Sequence, residues 1–123
     1  MSEIKSKKPY EILTVGEDEY KLKFSAGAAV DTEKRLKCSL IDATAKIDSI
    51  TVQITLLHGA LQKYHHEISM NDAEKIYEKY LDEGGSILEF AEKLTEVYMV
   101  SGFMKREQGE KAMEIMQGLN TAM

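Results

Sequence analysis

The sequence predicts a mainly α domain, helix-dominated α+β by count: an N-terminal β-hairpin packed on a bundle of about five helices. Three observations predict it. Tyr20, Leu22 and Phe24 alternate with Lys21 and Lys23, the period-two pattern of a half-buried strand. From residue 26 onward, apolar residues recur instead at the spacing of a helical stripe. Five of these stretches follow a serine (Ser25, Ser39, Ser49, Ser69 and Ser86), a residue that caps helix N-termini.

Residues 1–9 read as a flexible lead-in closed by Pro9, and residues 10–106 as the folded domain. A first strand is expected over Tyr10 to Val15, where the β-formers Tyr10, Ile12, Thr14 and Val15 cluster. A turn follows at Gly16-Glu17-Asp18-Glu19, then the second strand, Tyr20 to Phe24. Two strands do not stand alone. Ordering about a dozen residues costs roughly 1–2 kcal/mol each, while burying Tyr20, Leu22 and Phe24 returns only ~1.5–3 kcal/mol apiece. The hairpin must therefore pack both strands on helices, pair its edges with something else, or do both.

The first helix is expected over AGAAVDTEKRLK, residues 26–37. Its small residues Ala26, Gly27, Ala28 and Ala29 suit close approach by another segment, and Lys34, Arg35 and Lys37 suit a helix C-terminus. A short helix carries Leu40, Ala43, Thr44 and Ile47 and breaks at Asp48-Ser49. In the third, Val52, Leu56, Ala60 and Tyr64 align, flanked by Leu57 and Leu61; it is the most apolar helix and is expected at the centre. Ser69 to Asp72 resembles a capping box with Asp replacing Glu. It opens a helix with Ala73, Ile76, Tyr77, Tyr80 and Leu81 on one stripe. Gly84-Gly85 stops that helix, and Ser86-Ile-Leu-Glu89 spells a capping box for the fifth, which carries Ile87, Phe90, Ala91, Leu94, Val97, Tyr98 and Phe103. Residues 107–123 are expected to be loosely ordered or a short helix through Ala112, Met113, Met116 and Leu119, weakened by two glycines.

Composition narrows the function. Of 123 residues, 43% are apolar and 30% charged, which suits one globular domain and not a disordered chain. No apolar run approaches the roughly 20 residues that span a bilayer, and MSEIKSKKPY lacks the apolar segment of a secretory signal, so a cytosolic protein without a membrane partner is expected. The net charge is −5, and 16 basic residues are interspersed with 21 acidic ones. Only Lys5, Lys7 and Lys8 cluster, at the terminus, so nucleic acid is not expected as a partner. Cys38 is the single cysteine, excluding an internal disulfide and a cysteine-based metal site; among Leu36, Leu40 and Ile41 it reads as a small packed side chain.

The residues that could carry chemistry favour structural readings. His65 and His66 are adjacent, whereas a zinc-protease helix needs two histidines one turn apart. His58, His65 and His66 are accordingly given structural or surface roles. Glu17, Asp18 and Glu19 lack the alternating ligands of a calcium loop, and Gly84-Gly85-Ser86 lacks the preceding strand and following lysine of a phosphate cradle. No catalytic residue, cofactor or metal is expected. The seven methionines are different: Met99, Met104, Met113 and Met116 fall late in a polar segment, where methionine suits a soft, adaptable binding surface.

The hairpin and first helix, GEDEYKLKFSAGAAVDTEKRL, the helices after it, and the closing SILEFAEKLTEVYMVSGFMKRE resemble the tail assembly chaperones of long-tailed phages and prophages of Gram-positive bacteria. The likeness spans about residues 10 to 106. Its most specific part runs from the glycine and acidic turn through Glu19-Tyr20, the alternating lysines and Phe24 to a helix ending Glu33-Lys34-Arg35-Leu36. The first helix is more alanine-rich than that pattern, and the stretch after Arg106 has no counterpart in it. The resemblance implies a non-enzymatic assembly factor in the host cytoplasm. It would bind the tape measure protein, keep it soluble, yield it to polymerising tail tube subunits and be absent from the virion. It further implies the tail tube protein and a second copy of the chain as partners, and a frameshifted longer form that would begin at the loose tail. The expected contacts with the tape measure protein are Tyr98, Met99, Phe103, Met104, Met113 and Met116. The alternative is a small cytosolic adaptor that binds one folded partner through the same surfaces.

Overall fold

The computed structural model describes residues 8–122, with side chains through residue 118. Lys5, Lys7 and Met123, and the side chain of Leu119, lie outside this range. The chain is a helix-dominated α+β domain, as the sequence predicts, with one antiparallel hairpin and six α-helices among the described residues.

Strands β1 (Glu11–Val15) and β2 (Asp18–Leu22) pair with Leu13 opposite Tyr20 and Val15 opposite Asp18. The turn is two residues, Gly16-Glu17, so β2 begins two residues earlier than its composition predicts. Gly16 sits at φ +61°, where primed hairpin turns place glycine; that tight turn draws Asp18 and Glu19 into the ladder despite their poor strand propensity. Phe24 lies beyond β2 yet is buried, its N–H donating to Ser101 Oγ at 3.0 Å.

What holds so small a sheet is visible at its edge. Helix α3 (Ile50–Leu61) runs beside β2. Lys23 N–H donates to Ala60 O at 3.0 Å, and Lys21 N–H donates to His65 Nε2 at 3.0 Å. The outer edge of β2 is thus closed within the chain, and His65 serves as its acceptor. Below, Leu13, Val15, Leu22 and Phe24 enter the common core. Above, Lys21 Nζ sits over the rings of Tyr10 (5.0 Å) and Tyr64 (5.7 Å), a cation–π clamp on the outer face.

Helix α1 (Ala26–Leu36) buries only Ala28 and Thr32, is capped by Ser25, and ends at Lys37 in the left-handed region. The short α2 (Leu40–Ala43) continues as a 3₁₀ turn through Lys46. Helix α4 (Met70–Asp82) carries a full capping box between Ser69 and Asp72. At α5 (Ile87–Val100), Ser86 Oγ accepts from Glu89 N–H, half of the box that the sequence spells there. Helices α3 and α5 hold the centre: Leu56, Leu57, Ala60 and Leu61 from one meet Phe90, Leu94, Val97 and Tyr98 from the other, with Ala73 and Tyr77 of α4 completing the core.

The hairpin also brings a carboxylate inside. Glu11 is buried, with Lys8 Nζ at 2.6 Å and Lys93 Nζ at 3.4 Å. Burial pushes its carboxyl up, but the two ammonium groups outweigh that and hold it below its ordinary value. A carboxyl depressed in the folded state stabilises the fold above its unfolded value, about 4.5, and that contribution is lost as pH falls through the folded value. Thermal melts from pH 7 down to 3 are expected to show a steeper acid decline for the wild type than for Glu11→Gln, the two curves approaching each other at the acid end.

Helix α6 (Arg106–Ala122) differs most from expectation. The segment expected to be loose or briefly helical forms the longest helix, docked on α5.

Candidate partner-binding surfaces

The six residues expected to contact a partner separate into three environments. Tyr98 is fully buried, and its hydroxyl donates to Leu40 O at 2.6 Å. Burial raises its pKa strongly, with Cys38 and Glu33 adding to the effect. It is a core residue that ties α5 to α2, not a contact. Met99 is also buried, beneath Gly109 of α6: a Cβ added at Gly109 would lie 2.3 Å from Met99 Sδ. The sequence pattern misleads here because α5 buries two faces, so aromatic and methionine positions that look surplus to one stripe are consumed by the second.

Phe103 and Met104 occupy the α5–α6 connection, half-buried against the core. The Phe103 ring stands 5.7 Å from Phe24 and 5.9 Å from Tyr98, closing an aromatic cluster at the end of the bundle. Met113 and Met116 lie one turn apart on α6 and are half-buried, while Ile115 on the same helix is 64% exposed. Of the six, these last two come nearest to the expected adaptable surface.

A second apolar surface escaped the sequence reading. Ile50 and Ile54, one turn apart on α3, combine with Met70 at the start of α4 to line a groove of about 380 Å³. Thr51 and Thr55 flank it, and Arg35 and Glu74 place opposite charges on its rim. Ile50 is 49% exposed. The sign in the sequence was that α3 has more apolar positions than one stripe accommodates; the surplus emerges here.

A broader, polar cleft of about 520 Å³ separates α1 from the far end of α3, lined among others by Asp31, Thr32, Arg35, His58, Gln62 and His66. Burial lowers the pKa of His58, helped by the Arg35 guanidinium, and both favour the neutral imidazole. Its polar neighbours are already committed to backbone: Thr32 Oγ1 donates to Ala28 O, and Gln62 Nε2 to His58 O and Ile68 O. Among the described residues no group of three or more His, Cys, Asp or Glu is placed to hold a metal ion, and no helix is long and apolar enough to cross a membrane.

The chain matches no protein-family model, no curated protein and no solved structure.

Proposed function

We propose that this chain is a phage tail assembly chaperone: a non-enzymatic factor of the bacterial cytoplasm that holds amphipathic helices of the tape measure protein until tail tube subunits replace it. The observation that carries the reading is the groove between α3 and α4. Its Ile50, Ile54 and Met70 floor and its Arg35 and Glu74 rim suit a helix that presents an apolar stripe between charged flanks. Two further features support it. The order of hairpin and helices follows the pattern on which the resemblance rests, and α6 carries the half-buried Met113 and Met116 together with an exposed Ile115, side chains suited to irregular apolar partners.

Co-expression with tape measure segments tests the reading. A soluble complex is expected to co-purify with the wild type under mild salt. Ile50→Glu puts a charge on the groove floor at a half-exposed position and is expected to weaken capture about ten-fold or more, with a melting curve like that of the wild type. No association with any tape measure segment, together with capture of one folded cytosolic protein, would favour the adaptor reading instead.

A further inference from the structure

We infer that α6 is a displaceable latch: it occupies, within the same chain, a face of α5 that docks an amphipathic helix of the client. The identity of that client rests on the chaperone reading; the latch itself does not.

Helix α5 is buried on two faces. Phe90, Leu94, Val97 and Tyr98 point into the common core. Ala91, Thr95 and Met99 recur every four residues on the neighbouring face; all three are buried, yet none belongs to that core. Helix α6 packs on α5, and Gly109 comes down directly on Met99. The covered face is built for a helix. Ala91 is small, Thr95 satisfies its own hydroxyl on Ala91 O at 2.9 Å, and Met99 adapts to its cover.

Its present cover is lightly held. Along α6, Gly109 is buried and Ala112, Met113 and Met116 are half-buried, while the other described side chains are exposed. Gly109 and Gly118 weaken the helix from within. At its start, Lys105 N–H is met by Gln108 Oε1 instead of a serine cap. The connection from α5 turns at Gly102, at φ +85°, so a glycine sits at the pivot. A helix with few buried side chains and a solvent-exposed backbone opens before the body does. When it opens, Met99 loses its cover, and the stripe that fits this face is the one α6 carries: a small residue against Met99, then alanine and methionine at helical spacing. A client helix with that stripe competes with the latch. Tethering raises the effective concentration of α6 to the millimolar range, so a single free helix competes poorly until the latch is weakened.

A labelled peptide of residues 105–122 probes this directly, titrated into three full-length chains. The wild type is expected to bind it weakly. Gly109→Asp with Met116→Asp, which spoils the latch and leaves α5 intact, is expected to bind at least about ten-fold more tightly. Met99→Cys with Gly109→Cys in a Cys38→Ala background locks the latch, because a sulfur in the place of Met99 Cγ stands 2.7 Å from a Cβ at position 109. When oxidised this chain is expected not to bind, and reduction is expected to return it to the wild-type level. Equal affinity in all three overturns the latch. So does a weakened-latch variant that melts like the wild type yet ignores the peptide, or one that instead pairs with a second copy. Hydrogen exchange on the wild type decides the matter even if a variant misfolds: amides of α6 are expected to exchange at least about a hundred-fold faster than those of α5, and equal protection refutes the proposal. Peptide binding without tape measure binding would leave the latch standing and remove only the proposed client.

Discussion

Replacing Gln53 by leucine is expected to lower stability by about 3 kcal/mol, roughly 10 °C in melting midpoint. Gln53 is fully buried in the middle of α3, the most apolar helix. Its Nε2 donates to Ile47 O at 2.7 Å and to Ile87 O at 2.9 Å, and its Oε1 accepts the Tyr77 hydroxyl at 2.5 Å. One side chain thus joins the 3₁₀ turn, the start of α5 and the middle of α4. Leucine is close in size, so the loss comes from partners and not from a cavity: two carbonyls and a buried hydroxyl are left without their bonds. Each costs ~1–3 kcal/mol if water cannot reach it, and Ile87 O, within the first turn of α5, least. Tyr77→Phe alone leaves only Oε1 wanting and is expected to cost about 1–2 kcal/mol. Combining both substitutions is expected to cost less than the sum, since the second removes the hydroxyl orphaned by the first. Urea and thermal unfolding of the four chains measure the cycle. A Gln53→Leu midpoint within error of the wild type would mean that the three helices are not held by this side chain.

Much of this fold was legible because local and tertiary preferences agree. The serines that precede the helices cap them, and the alternation through β2 matches its burial. Where they disagree, geometry over distance wins. Asp18 and Glu19 read as a loop by propensity, but the two-residue turn at Gly16 places them opposite Val15 and Thr14. Gly109 reads as a helix breaker, yet it is the residue that allows α6 to approach Met99. Propensity counts the entropic cost of glycine and cannot see the contact it permits.

The candidate surfaces were less legible for a related reason. Periodicity shows that a helix has an apolar side; it does not show how many sides are covered. In α5 the excess of apolar positions beyond one stripe signals a second covering helix: Tyr98 is spent in the core, and Met99 lies under α6 instead of on an open surface. In α3 the same kind of excess signals an open groove at Ile50 and Ile54. A lone glutamine between Val52 and Ile54 was the one sequence sign of the buried Gln53 network, since a polar residue on such a helix needs partners.

Gly59→Ala is expected to destabilise the fold by about 2–3 kcal/mol, even though alanine is the better helix former by ~1 kcal/mol. A Cβ there would lie 2.1 Å from Thr32 Oγ1 and 2.6 Å from Phe24 Cε1. Neither neighbour is a free end. Thr32 is fixed by its bond to Ala28 O at 2.7 Å, and the Phe24 ring sits against Tyr98 and Phe103. The strain therefore passes to the backbones of α1 and α3. It also reaches the Lys23 N–H to Ala60 O bond that closes the sheet edge next door. Gly27→Ala supplies the contrast, because nothing stands within 4 Å of a Cβ at that position; the same substitution is expected to stabilise there by about 0.5–1 kcal/mol. Thr32→Ala introduced alongside Gly59→Ala removes the nearest obstructing atom and is expected to recover part of the loss, whereas it destabilises when made alone. If both glycine substitutions shift the melting midpoint the same way, helix propensity governs Gly59, and close packing of α1 on α3 through this residue is not what seats the hairpin.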